Sequence, residues 1–395
     1  MFFGGTLQGL LAMLWWTVDL GARHAGLYAV TAWPVPPAMP SSWLHGLLMI
    51  YGFFPFYIFG FLMTAAPRWQ DAPPVPQSVY VAAFTLLTAG WLGVDAGLFL
   101  PMLLPAGLGL VLAGWLIGAN ALLGVARQAN PDHRHAWVVS IAVGLGGSGI
   151  AAFLAYVSGG PAWLAQWALS MGIWGFLLPV FVTVAHRMLP FFSSSVIPKY
   201  VLRRPYWVLW LLLAAFAGHI VGTLAGQFRW LWLADLPAAA GALYLSIIWQ
   251  FRRGMAVPIL AVLHIGFAWL TMALALYAIQ SLAALAGFGI LGLAPLHALT
   301  LGFFTSMLLG MVSRVTLGHS GRGIAADTTM WLAFWGMQAT AGLRIAAELL
   351  ESCCSGPGPF NPMWLAALFW LAAFASWAWR YAPAYWRARA DGKPG

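Results

Sequence analysis

The chain has 395 residues, of which 62% are hydrophobic and only 7% charged. That composition cannot clothe a soluble domain in polar surface, and apolar runs of helical length without a ten-residue alternation exclude a membrane β-barrel as well. The net charge of +9 is spread along the chain instead of being gathered in a patch, which leaves no place for nucleic acid as a partner and makes the lipid bilayer the surrounding medium.

Apolar runs of about 20 residues, separated by proline, glycine or charge, predict twelve spans. They fall at residues 4–20, 43–66, 77–98, 103–126, 135–157, 162–189, 206–226, 230–249, 255–278, 294–317, 328–350 and 362–381. The first is the least apolar, because it contains Gln8 and Asp19. The start Met1-Phe2-Phe3-Gly4-Gly5 has no basic segment ahead of it, so this span is expected to be retained and not cleaved as a signal peptide. The connector Trp33-Pro34-Val35-Pro36-Pro37-Ala38-Met39-Pro40 reads as a semi-rigid loop.

Cations set the orientation, because lysine and arginine resist translocation. Of the 18 basic residues, 15 follow even-numbered spans, from Arg68 through Arg187, Lys199, Arg203, Arg204, Arg252 and Arg253 to Arg389 and Lys393. Both termini are therefore expected on the cytoplasmic side, with one membrane domain over residues 1–395 and a short tail from about residue 382. No motif repeated between two six-span halves is evident. The only cysteines, Cys353 and Cys354, are adjacent in an outer loop, either as two thiols or as a vicinal disulfide, and no Cys-x-x-Cys-His run for covalent haem is present.

Ionisable side chains at membrane depth are costly, which makes them the candidates for function. His45, His219, His264 and His297 fall inside predicted spans, and His186 and His319 at inner ends. Counting helix rise from the predicted span starts places His45 and His297 near the outer interface, His264 roughly 14 Å and His219 roughly 20 Å above the inner face. Four imidazoles are thus expected in the outer half. Each is either an interhelical hydrogen-bonding group or a ligand for haem iron or copper, and the spacing does not separate the two. Gly218-His219 has no supporting motif and reads first as a hydrogen bond to a neighbouring helix. Arg344 and Glu348, one turn apart, read as an ion pair that makes burial of both tolerable.

Leu296-His297-Ala298-Leu299-Thr300, Arg314 and Leu317-Gly318-His319-Ser320-Gly321-Arg322 resemble the signature of the NnrS family. Leu263-His264-Ile265-Gly266-Phe267-Ala268-Trp269, Arg187-Met188-Leu189-Pro190-Phe191-Phe192 and Gly60-Phe61-Leu62-Met63-Thr64-Ala65-Ala66-Pro67-Arg68-Trp69 extend the likeness over most of the chain. The resemblance implies a twelve-span protein of the bacterial inner membrane that binds haem and copper and is linked to nitric oxide metabolism and nitrosative stress. It does not supply a reaction. Carried over position by position, it implies His45, His264, His297 and His319 as metal ligands and Arg314 as a cofactor contact. Where the family reads His-Ala-His-Glu-Met, this chain has His45-Gly46-Leu47-Leu48-Met49. Leucine neither ligates a metal nor relays a proton, so the expectation rests on non-covalent haem, with copper secondary. A twelve-span transporter and an accessory subunit of a respiratory complex are the alternatives.

Overall fold

The computed structural model describes residues 1–25, 39–128, 130–353 and 362–392, without the side chains of 351–353. Among them there is no strand, and the chain forms twelve long helices, as the apolar runs predict. They are α1 (Phe2–His24), α2 (Ser41–Trp69), α3 (Gln77–Gly97), α4 (Pro101–Ala126), α5 (Arg134–Val157) and α6 (Trp163–Val196). The chain continues with α7 (Tyr206–Leu224), α8 (Phe228–Ile248), α9 (Pro258–Leu285), α10 (Ala294–His319), α11 (Thr328–Cys353) and α12 (Pro362–Tyr385). Ten are long and apolar enough to cross a membrane, α1 and α11 being the two outside that set. The chain is an all-α, multi-pass membrane protein. The stretch from Trp33 to Ala38, residue Cys354 and the Cys353 side chain lie outside the described residues.

Three of the span boundaries that differ from those expected do so for a reason in the backbone. Helix α9 begins at Pro258 and not near Met255, because Val257 is held extended ahead of the proline and Pro258 takes the first helical position. The preceding Phe251–Gly254 forms a separate helical turn. Helices α2 and α6 run through Pro67 and Pro190. A proline in a membrane helix need not end it, since side chains and local adjustment satisfy the freed carbonyl.

The chain divides into two compact units, Met1–Thr183 and Val184–Gly395, with the boundary inside α6. The first is built around Tyr51, whose fully buried ring lies edge-on to Trp115 at 5.9 Å and whose hydroxyl donates to the Ala168 carbonyl at 2.7 Å. Trp115 in turn donates to the Val143 carbonyl at 2.8 Å, so buried aromatic polar groups are satisfied without water. The second unit stacks Trp370, Phe374, Trp377 and Tyr381 along one face of α12, and Trp377 donates to Ser313 of α10 at 2.8 Å.

Three helices change winding in mid-course. Leu48–Phe53 of α2, Met171–Leu177 of α6 and Ala298–Thr305 of α10 are π-helical, far longer than the single widened turns usual for this geometry. The fifth residue of each segment is glycine and the sixth phenylalanine: Gly52-Phe53, Gly175-Phe176 and Gly302-Phe303. They recur about every 125 residues, once in every four helices. The repeat missed by comparing halves is thus threefold. Arg187 and Arg314 stand at the same distance beyond the glycines of the second and third copies.

Candidate functional site

The second unit holds most of the candidate residues, and the register of α9 against α10 fixes their depths. Gly302 lies against the Trp269 ring so closely that a Cβ there would come within 2.4 Å of it, while Gly310 faces Leu263. His264 is five residues below Trp269 and His297 five residues beyond Gly302 on the antiparallel helix. Their levels therefore differ by roughly 15 Å. The expectation that His264 shares the outer half with His297 is not met, because α9 starts later than the apolar run suggested and His264 is only its seventh residue.

At the N-terminal end of α10, His297 is the last residue before the π-helical segment and is half-buried. Its Nδ1–H donates to the Leu293 carbonyl at 2.9 Å. A carbonyl only accepts, so Nδ1 carries a proton, and in the neutral form of the ring the lone pair is then on Nε2. The amide N–H of the same Leu293 donates to Glu348 Oε2 at 3.0 Å, and Glu348 Oε1 pairs with Arg344 at 2.5 Å. Gln280 donates to the Gly292 carbonyl at 2.7 Å and completes the support of this turn. Residues from α9, α10 and α11 thus converge on Leu293 and orient one imidazole. The anticipated Arg344–Glu348 pair exists, with a further use. Arg344 Nη1 is buried without a hydrogen-bond partner among the described residues, a donor left over after the pair is made.

One level inward, Trp269 donates to Gln338 Oε1 at 2.6 Å and Gln338 donates to Ser306 Oγ at 2.7 Å. This chain walls the π-helical segment, and Thr305 fills the widened turn by donating to the Thr300 carbonyl at 2.9 Å. Sequence reading passed over Gln338 because one amide in an apolar helix has no partner in sight; Gln338, Trp269 and Ser306 become a unit only once three helices are packed.

Near the N-terminal end of α9, His264 is 1% exposed, with Ser193 Oγ at 3.5 Å from Nε2 and the Phe251 ring edge-on at 6.1 Å. Gly254 abuts the ring so tightly that a Cβ would fall 2.3 Å from it. Arg314 lies over the Phe192 ring at 4.1 Å, a cation–π contact. His319 is exposed at the last position of α10, where a cation suits the helix dipole. His186 is fully buried and donates to the Pro205 carbonyl at 3.3 Å.

His219 and Asp235 join α7 to α8 at 2.7 Å, both almost fully buried, so His219 makes the interhelical hydrogen bond expected of it. In the first unit, His45 is half-buried and stacked on Trp16 with centroids 4.3 Å apart. Arg23 covers Trp16 at 5.1 Å and pairs with buried Asp19. Each of these rings is fixed by its own neighbours. Among the described residues no three His, Cys, Asp or Glu side chains gather as a metal-holding group.

The family model for NnrS, described as NnrS protein, matches residues 1–389. No curated protein matches the sequence.

Proposed function

Since the chain belongs to the NnrS family, we propose that it is a haem-binding, multi-pass protein of the bacterial inner membrane that handles nitric oxide, with His297 as axial ligand. The observation that carries this reading is the bond from His297 Nδ1–H to the Leu293 carbonyl. Metal-bound histidines are held by such a bond, which fixes the tautomer and raises the basicity of the ligating nitrogen. The surroundings suit the group. Arg344 offers a buried N–H for a propionate, and Glu348 both holds Arg344 and anchors the turn that orients the ring.

When bound, haem supplies an iron coordination position at which nitric oxide binds. The chain's own residues would hold the ring by its Nδ1–H, aim Nε2 at the iron and offer an Arg344 N–H to a carboxylate. A single imidazole can ligate haem iron, whereas copper asks for several ligands, and leucines stand at 47 and 48 where the family has an imidazole and a carboxylate, so the reading puts haem first and copper second. His264 lies at another level along α9, so the reading does not count it in this ligand set.

Absorption spectroscopy of the protein purified from haem-replete cells tests the proposal. A Soret band that shifts on addition of nitric oxide, with iron present by metal analysis, is the expected result. A colourless, iron-free preparation contradicts it.

A further inference from the structure

The inner loops of the second unit form a basic surface that the haem reading does not use. Residues 197–205, between α6 and α7, and 249–257, between α8 and α9, are fastened together by side chains bonded to backbone. Trp249 Nε1 donates to the Arg203 carbonyl at 3.1 Å, and Arg253 Nη2 to the Pro198 carbonyl at 2.6 Å. Arg253 also donates to Gln250 Oε1 at 2.6 Å, and Arg204 to the Arg187 carbonyl at 2.9 Å. Gln250 takes a left-handed backbone, φ 62°, which turns the chain into the Phe251–Gly254 helix that carries Arg252 and Arg253.

These bonds commit Arg253 and Arg204 to the loop framework and bring Lys199, Arg203 and Arg252 to its exposed rim. Among the described residues no ion pair holds any of those three. From residue 184 to 326 the sequence has one acid, Asp235, which is bound to His219 near the opposite end of α7. The remaining inner acids of the unit, Asp327 and Asp391, are taken by Arg380 and Arg389. The surplus of positive charge is therefore local and preformed.

Apolar groups lie within the same stretch. Val201 and Leu202, between Lys199 and Arg203, are 59% and 43% exposed, and Trp207 at the start of α7 is 58% exposed. Cations interleaved with exposed aliphatic and indole groups at the end of a spanning helix match the boundary between headgroups and acyl chains, where a free oxyanion would have no use for the apolar part.

We propose that these two loops bind an anionic phospholipid of the cytoplasmic leaflet. Its phosphate lies among Lys199, Arg203 and Arg252, and its acyl chains run past Val201, Leu202 and Trp207. The bound lipid offsets part of the rim's positive charge and sets the depth at which α7 and α9 enter the membrane.

Native mass spectrometry of the full-length protein, titrated with phosphatidylglycerol and with phosphatidylcholine, tests this. Each exposed cation at a membrane surface changes affinity for anionic lipid by roughly fivefold. Phosphatidylglycerol binding is thus expected to fall about 25-fold in Arg203→Gln/Arg252→Gln. The variant Arg68→Gln/Arg127→Gln loses the same charge from exposed inner positions of the first unit and is expected to bind like the parent. Equal losses in both variants would reduce the effect to surface potential and overturn the proposal. So would phosphatidylcholine binding as tightly as phosphatidylglycerol, or inorganic phosphate displacing the lipid.

Discussion

At the residue scale the decisive feature is the dual use of Leu293, whose carbonyl fixes His297 while its amide is held by Glu348. Glu348 cannot be removed without loosening both the turn and Arg344, and such supporting contacts to a metal-bound histidine are worth 10- to 100-fold in affinity. Glu348→Gln retains the shape but loses the charge, so haem affinity is expected to fall about 10- to 100-fold, measured by haem transfer to an apo-globin acceptor. Unchanged transfer rates would show that Glu348 does not support the ligand. His297 and the Arg344–Glu348 pair were legible in the sequence, because ionisable groups are few in a chain that is 7% charged. The link between them was not, since it runs through the backbone of a leucine, and backbone partners leave no mark on residue type.

At the element scale, the π-helical segments show what hydropathy reads and what it misses. The twelve helices follow from apolar length, but α2, α6 and α10 differ from their neighbours in winding, to which hydropathy is blind. The depth of His264 failed for a related reason. Apolar residues from Met255 to Val257 count toward a span although Pro258 starts the helix, and a shift of one turn moves an imidazole between layers. Helix α10 is anchored to α9 where Gly302 meets Trp269, and a methyl group at that position has no room. Gly302→Ala is expected to destabilise the protein by about 1–3 kcal/mol, the usual cost of overpacking, seen as a lower midpoint of thermal unfolding in detergent. An unaltered midpoint would mean that Trp269 moves aside freely.

On the scale of the whole molecule, three copies of a Gly-Phe segment recur along the chain, and the residue just ahead of each segment differs: Leu47, Ser170 and His297. Only the third copy places an imidazole there. The recurrence was present in the sequence but hidden by two circumstances. The copies share few residues, and a twelve-helix chain invites comparison of halves instead of thirds. On the proposed function, one ligand position in three predicts one haem per polypeptide, held through His297. The most direct test is the haem-to-protein ratio of the purified protein and of His297→Gly, measured with and without added imidazole. A ratio near one in the parent, its loss in the variant and its recovery with imidazole are the predicted results. A variant that keeps its full complement of haem, or one that loses haem and does not regain it with imidazole, would contradict the assignment of His297.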